Sequence, residues 1–578
     1  MKFFPYICNR VALDTGMCAR YIMLTFAPNI PLDTFVSMNI EESLYQSNNK
    51  QTMNRTVRTL LGLLTIGLVA LTSCKQDRTE PQKNEGTTYV SVAINLQSSL
   101  RAGDSSDDKE FNYKGTWNGK DAIETIAVYV VGDGEVSYGK FSLNDFNITP
   151  ATDGDNITIK PENAILTTPG AKKVYALINA PEEITKTLEK SMPAHFNEAY
   201  AKAVENMTTA QVARANAAKE DLIMMSNADE CKIDVEDGVS KEDAKQGPKN
   251  LAKVNVKRVV ARVILTTTKP SYEIKLEDGT VLGTISDITY AVAQGEKAFY
   301  ISQKNEAGSI ITPGYNFLPA VNPADKSKLT NYEDQAKVYD YSDLHSTVTT
   351  PRAAIVADNL TAALEIGKKS LESSAFIFEA SHAFGENGQT IADYSGGFRR
   401  GNTPYVLVRT KFTPNLDLFY NDYQKGRFQK AGHDGTFYRG EDGLFYVDIR
   451  TKDRPGKVVE RNVPSQKYTK FEAGKVLYHV FVNPDNVAKT LDAPAYRNNI
   501  YHISVTGFKT LGLNWNPLYP EDPDTTDPQQ NPDPKPKDDP NTPPYVPGDK
   551  NTPKETYLAV EVNVIPWNVH SYNIALGL

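Results

Sequence analysis

Cysteine is scarce in this chain, and its scarcity removes several classes at once. Of the four cysteines in 578 residues, Cys8 and Cys18 precede a segment with the marks of a targeting signal. Cys74 and Cys231 do not make the set that a disulfide framework or a tetrahedral metal site requires. The seven histidines, at 195, 345, 382, 433, 479, 502 and 570, form no His-Glu-x-x-His and no pair at helical spacing beside a carboxylate. A Gly-x-Ser-x-Gly elbow is absent, and Gly132 and Gly134 lack the third glycine that would open a phosphate-binding helix. Local catalytic signatures are therefore missing, although groups assembled from distant loops would leave no such trace. Excess positive charge is missing too: a net charge of −8 and a pI near 5.6 argue against nucleic acid or an anionic membrane surface as partner. No period of 20 to 50 residues recurs, so the chain is not a solenoid.

What is present suits a secreted, β-rich protein. The length exceeds what one core supports, and 40% hydrophobic with 23% charged residues is an ordinary globular balance, so two main domains are expected. Met53 to Cys74 carries two arginines, an apolar run of about a dozen residues and then small residues, which is a secretory signal too short to span a bilayer comfortably. Leu71-Thr-Ser-Cys74 looks like a bacterial lipobox, with Cys74 as the lipidated residue. An export signal works at the N-terminus, so translation is expected to start at Met53, with residues 1–52 an extension of the gene prediction.

Two strands stand apart from the rest. Val90, Val92, Ile94 and Leu96 alternate with Ser91, Ala93 and Asn95, and Leu558, Val560, Val562 and Val564 alternate with Ala559, Glu561 and Asn563. Each is the two-residue period of a strand that buries one face, and the two are interchangeable in pattern. Leu100 to Glu110 is small, polar and charged, an exposed loop of the kind proteases cut; Arg101 within it reads, taken alone, as a solvated loop residue. Residues 517–555 are rich in proline and polar residues, cannot build a core, and read as a tether that includes the acidic cluster Glu521 to Asp527.

Between these ends, Thr125–Val131 and Lys173–Asn179 suit central strands, and Glu182 to Lys219 reads as two or three helices laid on a sheet. Lys257 to Leu265 reads as one strand whose Arg258 and Arg262 cap or cross a domain edge. Further strands are expected at 286–293, 298–303, 375–380, 405–412, 444–449, 476–482 and 501–508, with an Asp278-Gly279 hairpin turn. The insertions 304–370 and 414–470 are expected to hold short helices at most.

Ala127-Val-Tyr-Val-Val-Gly-Asp-Gly134, Val174-Tyr-Ala-Leu-Ile-Asn179, Lys257-Arg-Val-Val-Ala-Arg262, Tyr290-Ala-Val-Ala-Gln294, Tyr339-Asp-Tyr-Ser-Asp-Leu344, Arg400-Gly-Asn-Thr403, Arg497-Asn-Asn-Ile-Tyr501 and Pro566-Trp567 with His570 together resemble the fimbrillins of Bacteroidetes, most nearly the Mfa-type minor (short) fimbrium branch. The resemblance runs from Met53 to Leu578. It implies a mainly β fold of two β-sandwich (transthyretin-like) domains with a few helices, expected at 102–268 and 269–516, followed by the Pro-rich linker 517–555 and a C-terminal donor strand at 556–578. It further implies a lipoprotein precursor with signal peptide 53–73 and propeptide 74–101, cut by an arginine-specific protease between Arg101 and Ala102. Loss of the strand carrying Val90, Val92, Ile94 and Leu96 then opens a groove, which Leu558, Val560, Val562 and Val564 of a neighbouring subunit fill. The implied partners are further copies of the chain, anchor and tip subunits, and surfaces of other bacteria or a host; the implied roles are adhesion, co-aggregation and biofilm formation. No cofactor, metal or catalytic residue is implied. An accessory tip or anchor subunit and a surface glycan-binding lipoprotein stay open as other readings.

Overall fold

The alternation at Thr88–Gln97 becomes the strand that ties the N-terminal half together. The computed structural model describes residues 88–97, 122–142, 144–149, 156–218, 220–317, 319, 332–358, 362, 366, 373–382, 397–450, 463–484, 492–520, 529–536, 551, 558–566 and 569–570; the signal segment, Cys74, Arg101 and Ala102 lie outside them. The N-terminal strands are β1 (Thr88–Gln97), β2 (Thr125–Val131), β3 (Val136–Ser142), β4 (Phe146–Thr149), β5 (Asn156–Pro161), β6 (Ile165–Thr167), β7 (Gly170–Ile178), β8 (Met225–Asn227), β9 (Cys231–Val235) and β10 (Leu251–Arg258). They form one ten-stranded network in the order β3-β2-β7-β8-β10-β1-β5-β4, with β9 added to β7 and β6 to β1.

β1 is thus internal, parallel to β10 on one side and antiparallel to β5 and β6 on the other. Its four aliphatic residues enter a core with Ile126, Val128 and Val130 of β2, Val174 and Ala176 of β7, and Val254 and Val256 of β10. The other face of β2, through Ala127, Tyr129 and Val131, meets a second core roofed by three helices: α1 (Glu182–Lys190), α2 (Phe196–Ala201) and α3 (Thr209–Val212). A strand apolar on both faces is therefore covered on both.

The chain leaves this sheet inside the stretch that reads as a single strand. β10 ends at Arg258, and β11 (Val260–Thr267) belongs to a different sheet. The change falls at Val259, whose N–H donates to the Met224 carbonyl at 3.1 Å. Sheet membership therefore switches nine residues ahead of the expected boundary after 268, because a run apolar on both faces can serve two cores. Ala261, Val263 and Leu265 of β11 enter the C-terminal core, while Val260 and Ile264 enter the helix-roofed one. Arg262, fully buried between them, pairs with Asp221 and lies 5.1 Å from the Phe376 ring centroid.

Two larger sheets carry the core of the C-terminal half. One is built from β11, β15 (Ile355–Val356), β16 (Ala375–Phe378), β19 (Asn499–Phe508), β20 (Leu558–Pro566) and β21 (Val569–His570), in the order β15-β11-β19-β20-β21 with β16 on β11. The other is built from β12 (Tyr272–Lys275), β13 (Val281–Ala293), β14 (Arg352–Ala353), β17 (Tyr405–Pro414) and β18 (Lys475–Phe481), in the order β12-β13-β17-β18 with β14 on β13. Val263 and Leu265, Tyr501 and Ile503 from the first share one core with Ile285, Val292, Val406, Val408 and Tyr478 from the second, which is a face-to-face sandwich. Gly279, at φ 85°, makes the turn from β12 to β13.

Two expectations are corrected. The strand expected at 298–303 shrinks to Phe299–Tyr300. The insertion 414–470 holds more than a short helix: Phe437–Gly440, Phe445–Tyr446 and Tyr468–Phe471 form a three-stranded sheet, because Phe437, Phe445 and Phe471 stack together and against Phe412 of the main sandwich.

Candidate assembly site

The slot held by β1 has an apolar floor and two polar anchors. Val90, Val92, Ile94 and Leu96 are all buried, and at roughly 1.5–3 kcal/mol each they contribute on the order of 6–12 kcal/mol gross. The first anchor is Thr88. Its hydroxyl donates to the Glu236 carbonyl at 2.7 Å and accepts from the Val239 N–H at 3.1 Å and from Asn250 Nδ2 at 3.2 Å. Asn250, in a left-handed conformation at φ 50°, also donates from Nδ2 to the Tyr89 carbonyl at 2.9 Å, accepts the Glu236 N–H on Oδ1 at 2.8 Å, and accepts the Ser91 N–H on its own carbonyl at 2.9 Å. One asparagine therefore clips the start of β1 to two stretches of chain. The second anchor is Asn95, whose Nδ2 donates to Asn255 Oδ1 at 3.4 Å and whose Oδ1 accepts from the Thr158 hydroxyl at 3.1 Å.

Were β1 to leave, β10 on one side and β5 and β6 on the other would present unpaired backbone groups above an apolar trough. Exposed ladders of that kind bind an incoming strand, with backbone bonds supplying affinity and alternate pockets supplying register.

The C-terminal strand for which the family resemblance implies a donor role lies on its own chain here. β20 pairs antiparallel with β19, with Val564 opposite Tyr501, Val562 opposite Ile503, Val560 opposite Val505 and Leu558 opposite Phe508. On its other side the two-residue β21 pairs with Val564 and Ile565. The structure therefore gives β20 one long ladder, where β1 has ladders on both sides.

The stretch expected to be a solvated tether is docked at several of its described residues, while Gln529 and Gln530 are exposed. Leu518, Asn531, Asp533 and Asn551 are buried, and Asn551 Nδ2 donates to the Thr403 hydroxyl at 2.8 Å. Asp533 accounts for this: its carboxylate takes Arg409 at 2.9 Å and Lys475 at 3.0 Å, on β17 and β18 respectively. Burial alone would raise the Asp533 pKa, but Lys475 and Arg409 hold it below the ordinary carboxylate value. Composition suggested a free polymer because proline and acidic residues rarely build a core; one buried carboxylate between two cations is enough to pin it.

Neither Asn250 nor Asp533 was legible in the sequence. The residues that Asn250 serves lie up to 162 positions away, and Asp533 is one acidic residue among many. Cys231 is buried on β9, and burial pushes its thiol up to about 11, so it is an inert core residue. Burial lowers His382 to about 4 and His479 and His502 to about 3, so these three stay neutral at physiological pH.

Fimbrial proteins are among those this chain is similar to. The family described as "Major fimbrial subunit protein type IV, Fimbrillin, C-terminal" matches residues 469–573, the span that includes β18 to β21 and the docked linker. Two sequences of the minor fimbrium subunit Mfa1 from Porphyromonas gingivalis are 29% and 28% identical over 530 residues, covering 89% of this chain and 97% of each relative. A crystal structure of a proposed cell adhesion protein from Parabacteroides distasonis aligns over 83% of this chain and 100% of its own, at 13% identity and a TM-score of 0.37. The match over residues 469–573 and the identity to Mfa1 over most of the chain support a fimbrial subunit of the Mfa type among the Bacteroidetes fimbrillins.

Proposed function

We propose that this chain is the shaft subunit of a minor (short) fimbria, polymerised by strand exchange. The precursor is exported as a lipoprotein through Cys74, held at the outer membrane, and cut by an arginine-specific protease between Arg101 and Ala102. β1 then leaves, and β20 of a neighbouring copy takes its place. The observation that carries this reading is the contrast between the two strands: β1 sits in a slot with long ladders on both sides, while β20 has one long ladder, to β19, and on its other side only the two-residue β21 among the described residues. Moving β20 into an emptied slot gives it two long ladders without forfeiting its apolar pattern, which favours polymer over separate subunits. The polymer is a head-to-tail, open assembly, since donor and slot lie on different sheets of the chain. Anchor and tip subunits close its ends, and its exposed surface mediates adhesion, co-aggregation and biofilm formation with other bacteria or host surfaces.

N-terminal sequencing of sheared fimbriae tests the maturation step. Mature subunits should begin at Ala102, and Arg101→Gln should leave β1 in place and reduce fimbriae at least tenfold by electron microscopy; polymerised subunits that retain Tyr89 to Leu100 would overturn the reading. Cys74→Ala should strand the precursor before the outer membrane, with fimbriae lost to a similar extent.

A further inference from the structure

The slot and the strand proposed to enter it match residue by residue, beyond their shared alternation. β1 reads Thr88-Tyr-Val-Ser-Val-Ala-Ile-Asn-Leu96, and the C-terminal strand reads Thr556-Tyr-Leu-Ala-Val-Glu-Val-Asn-Val564. Threonine, tyrosine, valine and asparagine recur at the first, second, fifth and eighth places. Sliding by two residues keeps the apolar face inward but destroys the match. Lys554 or Leu558 would then stand at the Thr88 place, and Glu561 or Ile565 at the Asn95 place.

We propose that residues 556–564 of one copy enter the β1 slot of the next in β1's own direction and register, parallel to β10, with Thr556 and Asn563 as the polar anchors that set that register. This rests on the strand-exchange reading above and adds to it the geometry of the joint. Thr88 is buried, and its hydroxyl is the hydrogen-bond partner of the Val239 N–H, the Glu236 carbonyl and Asn250 Nδ2. A leucine in its place would leave the buried Val239 N–H without its acceptor, since Asn250 Nδ2 and the Glu236 carbonyl also bond to each other, and a lysine would bury a charge against the amide donors of Val239 and Asn250. Only Thr556, at zero offset, restores the hydroxyl. Asn563 likewise restores the amide that bridges Asn255 and Thr158. Run in the opposite direction, the strand would put Val564 in the Thr88 place and lose both anchors.

The same alignment relieves two misfits of the slot. The Ser91 hydroxyl is buried without a hydrogen-bond partner, and Ala559 replaces it with a group that needs none. Ala93 is the Cα partner of the exposed Lys253, and Glu561 brings an opposite charge to that position. In the apolar row, Leu558 adds a methylene at the Val90 place, while Val562 and Val564 each remove one at Ile94 and Leu96. At the Ser91 and Ala93 places the incoming strand suits the slot better than the strand it displaces.

Cysteine pairs in assembled fimbriae test the register. Asn95 and Asn255 are Cα partners, a separation that a disulfide spans, so Asn255→Cys combined with Asn563→Cys should give an oxidation-dependent ladder of multimers on a denaturing gel. If the ladder appears instead with Asn255→Cys and Glu561→Cys, or with Asn255→Cys and Ile565→Cys, the register is wrong and strand exchange stands. A ladder from Asn255→Cys with Tyr557→Cys would mean that the strand runs in the opposite direction and strand exchange stands, and if none of the four pairs links subunits in fimbriae that do form, both readings fall. A second measurement addresses the anchor. Thr556→Val should lower the share of polymer that survives heating in detergent about tenfold, Thr556→Ser should restore it, and secretion of the subunit should be unchanged. Polymer from Thr556→Val as durable as wild type would overturn the anchor assignment.

Discussion

A chain that ends at Pro553 should fold and be exported, yet cap every polymer it joins. The truncation removes β20 and β21 and uncovers one edge of β19. Tyr501, Ile503 and Val505 stay in the sandwich core, however, and β11 still pairs with β19 in parallel from Arg262 opposite Ile500 to Thr267 opposite Val505. The expected result is a soluble subunit whose midpoint of thermal unfolding falls by a few degrees, with fimbria length reduced at least a hundredfold. Val562→Asp should act almost as strongly, since an unpaired carboxylate in an apolar pocket costs several kcal/mol. Glu561→Gln should be close to silent, because a charge pair with an exposed lysine is worth less than about 1 kcal/mol. Counting fimbriae per cell and their lengths, beside the melting curve of each secreted subunit, checks the set. Normal fimbriae from the truncated chain would sink the donor assignment, and loss of folding would show that β20 is needed by its own domain first.

The second large effect should come from Asp533. Asp533→Ala leaves Arg409 nearly buried, still donating to the Thr347 hydroxyl and the Leu344 carbonyl at 2.7 Å each but without a counter-charge, and leaves Lys475 half-exposed beside it. Removing one member of a buried ionic cluster costs about 3–5 kcal/mol. Denaturant unfolding should show that loss, and limited proteolysis should show new cuts after Pro520. Because Asp533 titrates below its ordinary value when folded, its contribution is complete above the unfolded carboxylate pKa and is lost as pH falls through the folded one. The gap between wild type and Asp533→Asn should therefore be full at pH 7 and close below about pH 4. A gap that stays constant with pH would mean that Asp533 acts through packing rather than charge.

The docked linker also limits what the donor strand can reach. With Asn551 held, only six residues lie between it and Leu558, about 23 Å of extended chain from Cα to Cα. Released as far back as Pro520, the same strand would be on a lead of 37 residues, which extends to more than about 100 Å. While the linker is docked, a neighbour must present its slot close to Asn551, so the contacts of Asp533 bear on subunit spacing as well as on stability.

Which residues form strands was legible wherever the signal is local. The alternation of Val90 to Leu96 and of Leu558 to Val564, the apolar run of β2, the Asp278-Gly279 turn and the three helices after Glu182 all depend on neighbours within a few positions. What each strand pairs with was not legible. Lys257 to Leu265 reads as one strand because nothing in its apolar run marks Val259 as the point where one sheet ends and another begins. The linker reads as solvated because its composition is polar, and only Arg409 and Lys475, more than 50 positions upstream, make Asp533 an anchor.

By itself, then, the sequence determined that two half-buried strands of equal pattern lie at opposite ends of a β-rich chain, since side-chain periodicity is a property of the strand alone. Tertiary structure alone decided that the first is internal to a sheet, clipped by Asn250 across 162 residues, and that the second has one long ladder, with the two-residue β21 on its other side among the described residues. A backbone ladder takes any strand of suitable pattern, so the partner is chosen by which edges the rest of the fold leaves open.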